Sequence, residues 1–245
     1  MEALLPFGSL LSALSILLKK SKYDEESKVF LIPEPIIQLI KENYNSVVKM
    51  MNCLSLSQSI VMEEDYYTEV LEFEEIYNHV NKCIEKLRGM LRLKRQKIIL
   101  SKLPETMKTQ KIVYNIEKME IVFIELFINA MKYSQFKDNI YILFFHDAET
   151  LQVKILNRAY QNEDGSYGID KQNESKVFEP FYRISYVVDD NYTEEMFKFG
   201  LGLTIVKKII DLHKGKIYIY TIDDYITKEK EKDICVWLSF PITKR

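Results

Sequence analysis

The chain has 245 residues, which is enough for one large domain or two small ones. Its 34 basic and 36 acidic side chains leave a net charge of −2, and this balance argues against a nucleic-acid binder, which carries a basic excess. The cysteines, Cys53, Cys83 and Cys235, show neither metal-binding nor redox spacing, so a reducing, cytoplasmic setting is expected.

The chain starts with an apolar run that has the wrong charge order for an export signal. Glu2 precedes the uncharged run 3–18, and Lys19 and Lys20 follow it, whereas a secretory signal has its positive charges first. The run is also shorter than the ~20 residues that a membrane-spanning helix needs. No membrane segment is therefore expected, and the chain is interpreted as a soluble protein or the soluble part of a larger one.

Two helices are predicted next, over about residues 6–20 and over 33–64. The charged segment SKYDEESK between them is predicted to be a loop, so the two helices form an antiparallel hairpin. The longer helix carries a heptad seam, a set of eight positions spaced by three and four residues, of which only Gln58 is not apolar. The seam consists of Ile37, Ile40, Tyr44, Val47, Met51, Leu54, Gln58 and Val61.

The heptad seam needs a partner, because two helices alone bury too little apolar surface. Pairing with a second copy of the chain would make a four-helix bundle. The alternative is that the hairpin packs on the remainder of its own chain. We favour the dimer, formed through residues 33–64.

The charged segment MEEDYYTEVLEF, residues 62–73, interrupts the seam and is interpreted as a linker. It separates a helical hairpin, residues 1–66, from a second domain, residues 70–245. In that domain, helices are predicted around 76–87 and over 116–133 and 200–213, and strands over 97–100, 139–146, 151–157, 216–222 and 234–240. This order predicts an α+β sandwich with helices on one face of a mixed sheet.

Two features of the second domain indicate a binding site. Gly200 and Gly202 stand before a predicted helix, where backbone N–H groups and the helix dipole attract anions, although a simple turn into a helix has the same residues. Glu125, Asn129 and Lys132 interrupt an otherwise apolar helix, so they either face solvent or line a site. The i, i+4 spacing puts Glu125 and Asn129 on one face, as a shared metal site requires.

Three segments in this order resemble the ATP-binding domain of sensor histidine kinases, a branch of the GHKL ATPase family. ELFINAMKYS (125–134) resembles the N-box, FEPFYR (178–183) the F-box and GLGL (200–203) the G2 box. The resemblance covers about residues 70–243, and the joint match is much more specific than any one segment. The implied fold is a helical hairpin followed by a GHKL-type α/β sandwich.

The resemblance implies that ATP and Mg²⁺ bind to this domain. Asn129 would ligate the Mg²⁺ that bridges the phosphates, and Glu125 would be the catalytic residue near the metal or its water. Lys132 would reach a phosphate, and Tyr133 would pack beside the adenine. Four further nucleotide contacts are expected from the G2 box: Gly200, Leu201, Gly202 and Leu203.

The G1 box of the family, D-x-G-x-G after a strand, is altered in this chain. Asn157 stands at the position of the Asp that accepts a hydrogen bond from the adenine amino group, and Ala159 at that of the first glycine. The Asn carbonyl oxygen also accepts a hydrogen bond but without charge, so adenine recognition is expected to be weaker. The glycines of NEDGSYG (162–168) are nearby but out of register.

The predicted hairpin fits the resemblance too, since a dimerising helical pair precedes the ATPase domain in this family. Its first helix carries the phosphate-accepting His in a box H-E-x-x-x-P-L. Here Glu2, Pro6 and Phe7 fall on the box, and Met1 falls on the His. The histidines that the chain contains are expected to be structural: His79, His146 and His213.

Three functions are compatible with the sequence. The first, which we favour, is the core of a two-component sensor histidine kinase that transfers the γ-phosphoryl group of ATP-Mg²⁺ to a His outside this chain and works with a response regulator. The second is a pseudokinase that dimerises with a partner kinase or regulator. The third is another GHKL ATPase, such as an anti-sigma-type serine kinase or a gyrase-like clamp. The F-box and the hairpin argue against the third.

A mobile lid is expected over 184–199.

Overall fold

The structure is a computed structural model that describes residues 5–62, 67–159, 165, 167–184, 200–223 and 232–243. It divides into two compact units, Met1–Ser59 and Ile60–Arg245, which we call the helical unit and the sheet unit. Met1 and Glu2 of the expected acceptor box lie outside the described residues. So does the expected lid, apart from Ile184.

The two helices expected near the amino terminus are confirmed as α1 (Leu5–Lys20) and α2 (Glu34–Met62). The segment between them was predicted to be a loop, and this was wrong. It forms a β-hairpin in which β1 (Lys22–Asp24) pairs antiparallel with β2 (Val29–Leu31). Tyr23 and Phe30 stand opposite each other with ring centroids 5.1 Å apart, and such a cross-strand aromatic pair stabilises a short hairpin.

The heptad seam of α2 is largely at the surface of the single chain. Tyr44 and Met51, near its centre, are 58% and 55% exposed. A neighbouring stripe of the same helix is buried instead, and it consists of Val47, Met50, Cys53, Ser57 and Ile60. Val47 is the one residue that both stripes share. The helix therefore has one stripe that is covered within the chain and a second, apolar one that is not.

The first strand of the sheet unit lies in the segment that was predicted to be a linker, so that prediction was partly wrong. Strand β3 (Glu69–Glu72) pairs antiparallel with β5 (Lys111–Tyr114), and the end pair places Lys111 Nζ 3.4 Å from a Glu72 carboxylate oxygen. Helix α3 (Phe73–Lys86) follows at once, and its first turn is closed by a capping box in which Glu75 accepts a hydrogen bond from the Glu72 N–H at 2.9 Å.

The remaining elements of the sheet unit follow the predicted order. Its helices are α4 (Arg88–Leu91), α5 (Glu105–Lys108), α6 (Ile116–Tyr133) and α7 (Gly202–Leu212). Its other strands are β4 (Lys97–Leu100), β6 (Asn139–His146), β7 (Thr150–Arg158), β8 (Lys216–Asp223) and β9 (Lys232–Pro241). These five strands form one sheet in the order β4-β6-β7-β9-β8, with β4 parallel to β6 and all other pairs antiparallel. The predicted mixed sheet is confirmed.

The core lies between this sheet and the helices α3, α6 and α7. Alternate residues of β7, namely Leu151, Val153 and Ile155, are buried, as the two-residue period of a strand requires. The α6 side chains Phe123 and Phe127 are fully buried, and burying a side chain of this size contributes about 1.5–3 kcal/mol. The α+β sandwich is therefore stabilised by packing of the helices on one face of the sheet.

His213 connects the start of α6 to the end of α7. Its Nε2 accepts a hydrogen bond from the Asn115 N–H at 3.0 Å, and its Nδ1 donates to the Ile209 carbonyl at 2.8 Å. Asn115 itself caps α6 by accepting the Lys118 N–H at 2.8 Å. Burial lowers the pKa of His213, which keeps the imidazole neutral and one nitrogen an acceptor. These contacts agree with the structural role expected for this histidine.

Candidate functional site

A pocket in the sheet unit is bounded by the second half of α6, the end of β7 and the first turn of α7. Eight of the predicted site residues line it, and they are Glu125, Asn129, Lys132, Tyr133, Asn157, Gly200, Gly202 and Leu203. Leu201 does not line it, because its side chain is buried and its carbonyl accepts the Ile205 N–H within α7. The fold thus brings together segments that are far apart in the sequence.

The wall formed by α6 carries two oxygen-bearing side chains one turn apart. Glu125 is only 2% exposed and Asn129 is half-buried, and both line the pocket. The polar residues that interrupt this apolar helix therefore face a site and not bulk solvent. Carboxylate and amide oxygens are the hard ligands that Mg²⁺ prefers, so this wall has the donor chemistry for that ion.

The end of α6 is held in place by donors from the segment before β4. The last carbonyl groups of a helix lack partners within the helix. Lys94 Nζ donates to the Lys132 carbonyl at 2.8 Å, and Gln96 Nε2 donates to the Met131 carbonyl at 3.0 Å. These bonds hold the end of α6, which carries Lys132 and Tyr133 in the pocket wall, where Lys132 Nζ lies 6.0 Å from the Tyr133 ring centroid.

Asn157 reaches the pocket because it continues the buried alternation of β7 to the end of the strand. It is 4% exposed, and its register partner Ile234 lines the same pocket. Its Nδ2 donates to the Arg158 carbonyl at 3.0 Å, which leaves Oδ1 as the half of the amide that accepts from a ligand. Ala159, at the altered glycine position, does not line the pocket, and its N–H extends the sheet pairing to the Lys232 carbonyl.

Gly200 joins the F-box segment to the start of α7. Its φ is +76°, a conformation that L side chains rarely adopt. A Cβ at this position would lie 2.9 Å from the Tyr182 carbonyl oxygen. The Phe181 N–H also donates to the Gly200 carbonyl at 2.9 Å. A larger residue at position 200 would therefore separate the two segments.

The first turn of α7 supplies a positive electrostatic potential to the pocket. Gly202 and Leu203 line it, and the first four N–H groups of a helix have no partner within the helix. This turn contains no acidic residue that would neutralise the helix dipole. Together with Lys132 and Arg183 on the lining, the turn forms a site suited to phosphate groups.

Two residues that line the pocket, Gly168 and Arg183, were not predicted from the sequence. Gly168 was judged out of register, yet it lines the pocket with φ of +75° and packs on Thr221, whose hydroxyl accepts the Ile169 N–H at 2.7 Å. Arg183 ends the F-box segment and was not assigned a role. A cation in a motif next to a phosphate-binding loop was the signal that could have identified Arg183.

The pocket thus combines an apolar wall, an amide acceptor, an anion-binding turn and two oxygen donors for a cation. The apolar wall comes from β8 and β9 and includes Ile219, Ile234 and Val236. Residues 114–244, more than half of the chain, match the family described as histidine kinase-, DNA gyrase B-, and HSP90-like ATPase. The chain belongs to this ATPase family.

Within that family, the chain is similar to sensor kinases. It is 28% identical over 220 residues to the sensor protein kinase WalK of Staphylococcus aureus, and the match covers 89% of this chain and 48% of that protein. For WalK of Staphylococcus aureus strain JH9, the match covers 32% of the relative at the same identity. The chain therefore spans about half or less of the length of these curated relatives.

Two solved structures share the fold. Histidine kinase ThkA, in a crystal structure with response regulator protein TrrA, gives a TM-score of 0.64 at 17% identity over 100% of this chain and 60% of that one. Histidine kinase AdeS of Acinetobacter baumannii gives 0.58 at 18% identity over 98% and 96% of the two chains. These likenesses confirm the predicted α+β fold with a helical amino-terminal part, and the family match shows that the predicted GHKL-type ATPase domain is present.

None of the helices in the described residues is both long enough and apolar enough to cross a lipid bilayer.

Proposed function

We propose that the chain is the catalytic core of a two-component sensor histidine kinase that transfers the γ-phosphoryl group of ATP to a histidine. The main support for this proposal is that Glu125, Asn129 and Asn157 line one pocket together with residues of the GLGL segment. The sensor kinases that match along most of the chain support it. The crystal structure of ThkA with a response regulator supports a response regulator as the partner of this chain as well.

The pocket suggests one orientation of the nucleotide. The adenine would lie against the apolar wall, with its amino group donating to Asn157 Oδ1 and its ring beside Tyr133. The first turn of α7 and Lys132 would bind the phosphates. This orientation uses the contacts of the G2-box residues Gly200, Gly202 and Leu203.

The wall of α6 fits a magnesium ion, because Asn129 offers an amide oxygen and Glu125 a buried carboxylate on the same face. When bound, Mg²⁺ neutralises charge that develops on the transferred phosphoryl group. Asn129 would hold the ion, and Glu125 would accept a hydrogen bond from the water of the metal. Lys132 and the N–H groups of α7 would hold the phosphates in line for transfer.

A pseudokinase is the second candidate, and the observation that favours it is the altered G1 box. Asn157 lacks the charge of the Asp that the family uses, and a neutral acceptor makes a weaker hydrogen bond than a charged one. Such a chain would bind ATP weakly and would regulate a partner kinase without transferring phosphate.

The two candidates differ in phosphoryl transfer, which labelling with γ-labelled ATP measures. The 245-residue chain alone is expected to acquire no acid-labile phosphate, because the thioether of Met1 forms no stable phosphoryl adduct. Met1→His with a short helical extension before it is expected to be labelled, since transfer needs a nucleophile within about 3–3.5 Å of the γ-phosphorus.

Labelling of the extended Met1→His variant would establish an active kinase pocket. Absence of labelling in that variant, with ATP bound, would contradict kinase activity and favour the pseudokinase. Labelling of the unmodified chain would contradict the acceptor assignment, and His79 would then be replaced first.

We further propose that the chain dimerises through residues 33–64 and that residues 1–66 and 70–245 act as separate domains in the cytoplasm. The uncovered heptad seam of α2 supports the dimer. The division into two compact units at residue 59 supports two domains. All three cysteines are described, and none is in a disulfide, which fits a reducing compartment.

The double variant Tyr44→Glu/Met51→Glu is expected to be monomeric. Both side chains are exposed in the single chain, so the substitutions should not unfold it, whereas unpaired carboxylates buried in a dimer interface cost several kcal/mol. The dimer dissociation constant should rise at least about 100-fold. Light scattering across a concentration series gives the mass of the unmodified chain and of the variant.

The matched control is Asn45→Glu/Asn52→Glu, which adds the same charges to exposed positions of α2 away from the seam. It should remain dimeric. A monomeric unmodified chain, or an equal effect of both double variants, would contradict dimerisation through the seam.

A further inference from the structure

A second group of potential metal ligands lies on α3 and α6, outside the pocket. His79 and Cys83 come from successive turns of α3, and Glu120 comes from α6. A ring nitrogen, the thiol sulfur and a carboxylate oxygen of these residues all lie within 4.8 Å of one another. None of the three lines the pocket.

The distances approach those of a tetrahedral zinc site. Bonds of about 2.3 Å to sulfur and 2.0–2.1 Å to nitrogen or oxygen, at tetrahedral angles, place ligand atoms about 3.3–3.6 Å apart. Cys83 Sγ is 3.7 Å from His79 Nε2, and His79 Nε2 is 3.9 Å from Glu120 Oε2. Cys83 Sγ and the Glu120 carboxylate oxygen lie within 4.8 Å of each other, so a bound ion would draw these two ligands closer together.

The imidazole of His79 is already oriented for such a role. Its Nδ1 lies 2.7 Å from the hydroxyl of Tyr114, a fully buried residue, so Nε2 is the nitrogen that faces Cys83 and Glu120. A hydrogen bond at the second ring nitrogen is the usual arrangement for a metal-ligating histidine. Burial lowers the pKa of His79, so the ring is neutral near pH 7 and has a lone pair to offer.

The other two ligands, Cys83 and Glu120, determine which metal ion the site favours and whether the site reaches solvent. Cys83 offers a soft sulfur ligand, which favours a thiophilic ion such as Zn²⁺ over Mg²⁺ or Ca²⁺. Lys86 Nζ lies 2.5 Å from Glu120 Oε1, which leaves Oε2 on the side of His79. The Glu120 side chain is 36% exposed, so the group reaches solvent at this carboxylate.

We propose that His79, Cys83 and Glu120 bind Zn²⁺ or a similar thiophilic divalent ion, with solvent as the fourth ligand. The nitrogen and sulfur donors distinguish this site from the oxygen donors offered to Mg²⁺ in the pocket. Glu120 and Asn129 are nine positions apart, which at about 100° per residue places them on opposite sides of α6 and about 14 Å apart along its axis. The ion would thus crosslink α3 to the side of α6 that faces away from the pocket.

Cobalt(II) is the probe for the test, because a thiolate bound to tetrahedral Co²⁺ gives a charge-transfer band in the near ultraviolet and strong visible bands. Titration of Co²⁺ into the full chain, without ATP or Mg²⁺, is expected to give both bands at one ion per chain, and Zn²⁺ should bleach them. Cys83→Ala should lose the charge-transfer band, and Glu120→Gln should weaken binding at least about tenfold.

Cys235→Ala is the matched control, since Cys235 is also a buried thiol but is not in the group. It should keep both bands. Absence of the charge-transfer band in the unmodified chain, or its persistence in Cys83→Ala, would overturn the proposal. Should Cys83→Ala fail to fold, the partly exposed Glu120→Gln decides, and unchanged Co²⁺ affinity in that variant would overturn the proposal equally.

Discussion

Asn129→Ala is expected to abolish binding of ATP-Mg²⁺, with a rise in the dissociation constant of more than about 100-fold, or a loss of more than about 2.7 kcal/mol. The variant removes the amide oxygen that would ligate Mg²⁺ from the wall of α6. The ion would then lose a ligand at the point where it bridges the phosphates to the protein. Calorimetric titration of ATP in the presence of Mg²⁺ measures the loss.

Two variants separate a loss of ligation from a loss of folding. Asn78→Ala replaces an exposed asparagine of α3 and should bind ATP-Mg²⁺ like the unmodified chain. Asn129→Asp keeps an oxygen ligand and should retain measurable binding. Unchanged, Mg²⁺-dependent binding by Asn129→Ala would show that this residue does not hold the ion.

Glu125→Gln is expected to reduce phosphoryl transfer to the extended Met1→His variant by about 10²–10⁴-fold while ATP affinity changes little, because a positioned acid or base contributes a factor of this size. The substitution keeps the shape of a side chain that is almost fully buried but removes the carboxylate that we propose lies near Mg²⁺. The Glu125→Gln substitution is made in the extended Met1→His chain. The initial rate of labelling of this chain, at saturating ATP, measures the effect.

Glu117→Gln is the control for Glu125→Gln, since Glu117 is an exposed glutamate in the first turn of the same helix. Its labelling rate should equal that of the unsubstituted extended variant. A labelling rate of Glu125→Gln within about threefold of the rate of the unsubstituted extended variant would contradict a catalytic role for Glu125.

The elements that form the pocket were predictable because their signals are local. The predicted bounds of α6, 116–133, and of β4 and β6 agree with the structure. A long apolar helix and β-branched runs bounded by polar turns leave little ambiguity. Most of the predicted residues that line the pocket were predictable for a different reason, since the N-box and the G2 box carry seven of the eight at fixed spacings in short segments.

Features that depend on distant pairing were not predictable in the same way. Strand β3 has only two apolar residues, and its partner β5 lies about forty positions later, so the charged segment was taken for a linker. Gly168 reaches the pocket through its contact with Thr221 on β8, which no local pattern shows. The pairing of Tyr23 with Phe30 likewise became visible only in three dimensions.

The heptad seam shows a limit of periodicity itself. The spacing of apolar residues on α2 predicted a helix and a buried stripe, but apart from Val47 the residues that the single chain buries, such as Met50 and Cys53, lie outside the seam. A helix with more than one apolar stripe can bury each stripe against a different neighbour. Which stripe faces which neighbour is a property of tertiary packing.

Calorimetric titration of ATP into the unmodified chain, with and without Mg²⁺, tests nucleotide binding in the pocket most directly. We expect saturable, Mg²⁺-dependent binding of one ATP per chain, with modest affinity because Asn157 accepts from the adenine without charge. Absence of both a heat signal and a thermal shift at millimolar ATP-Mg²⁺ would contradict the proposal that this pocket binds the nucleotide.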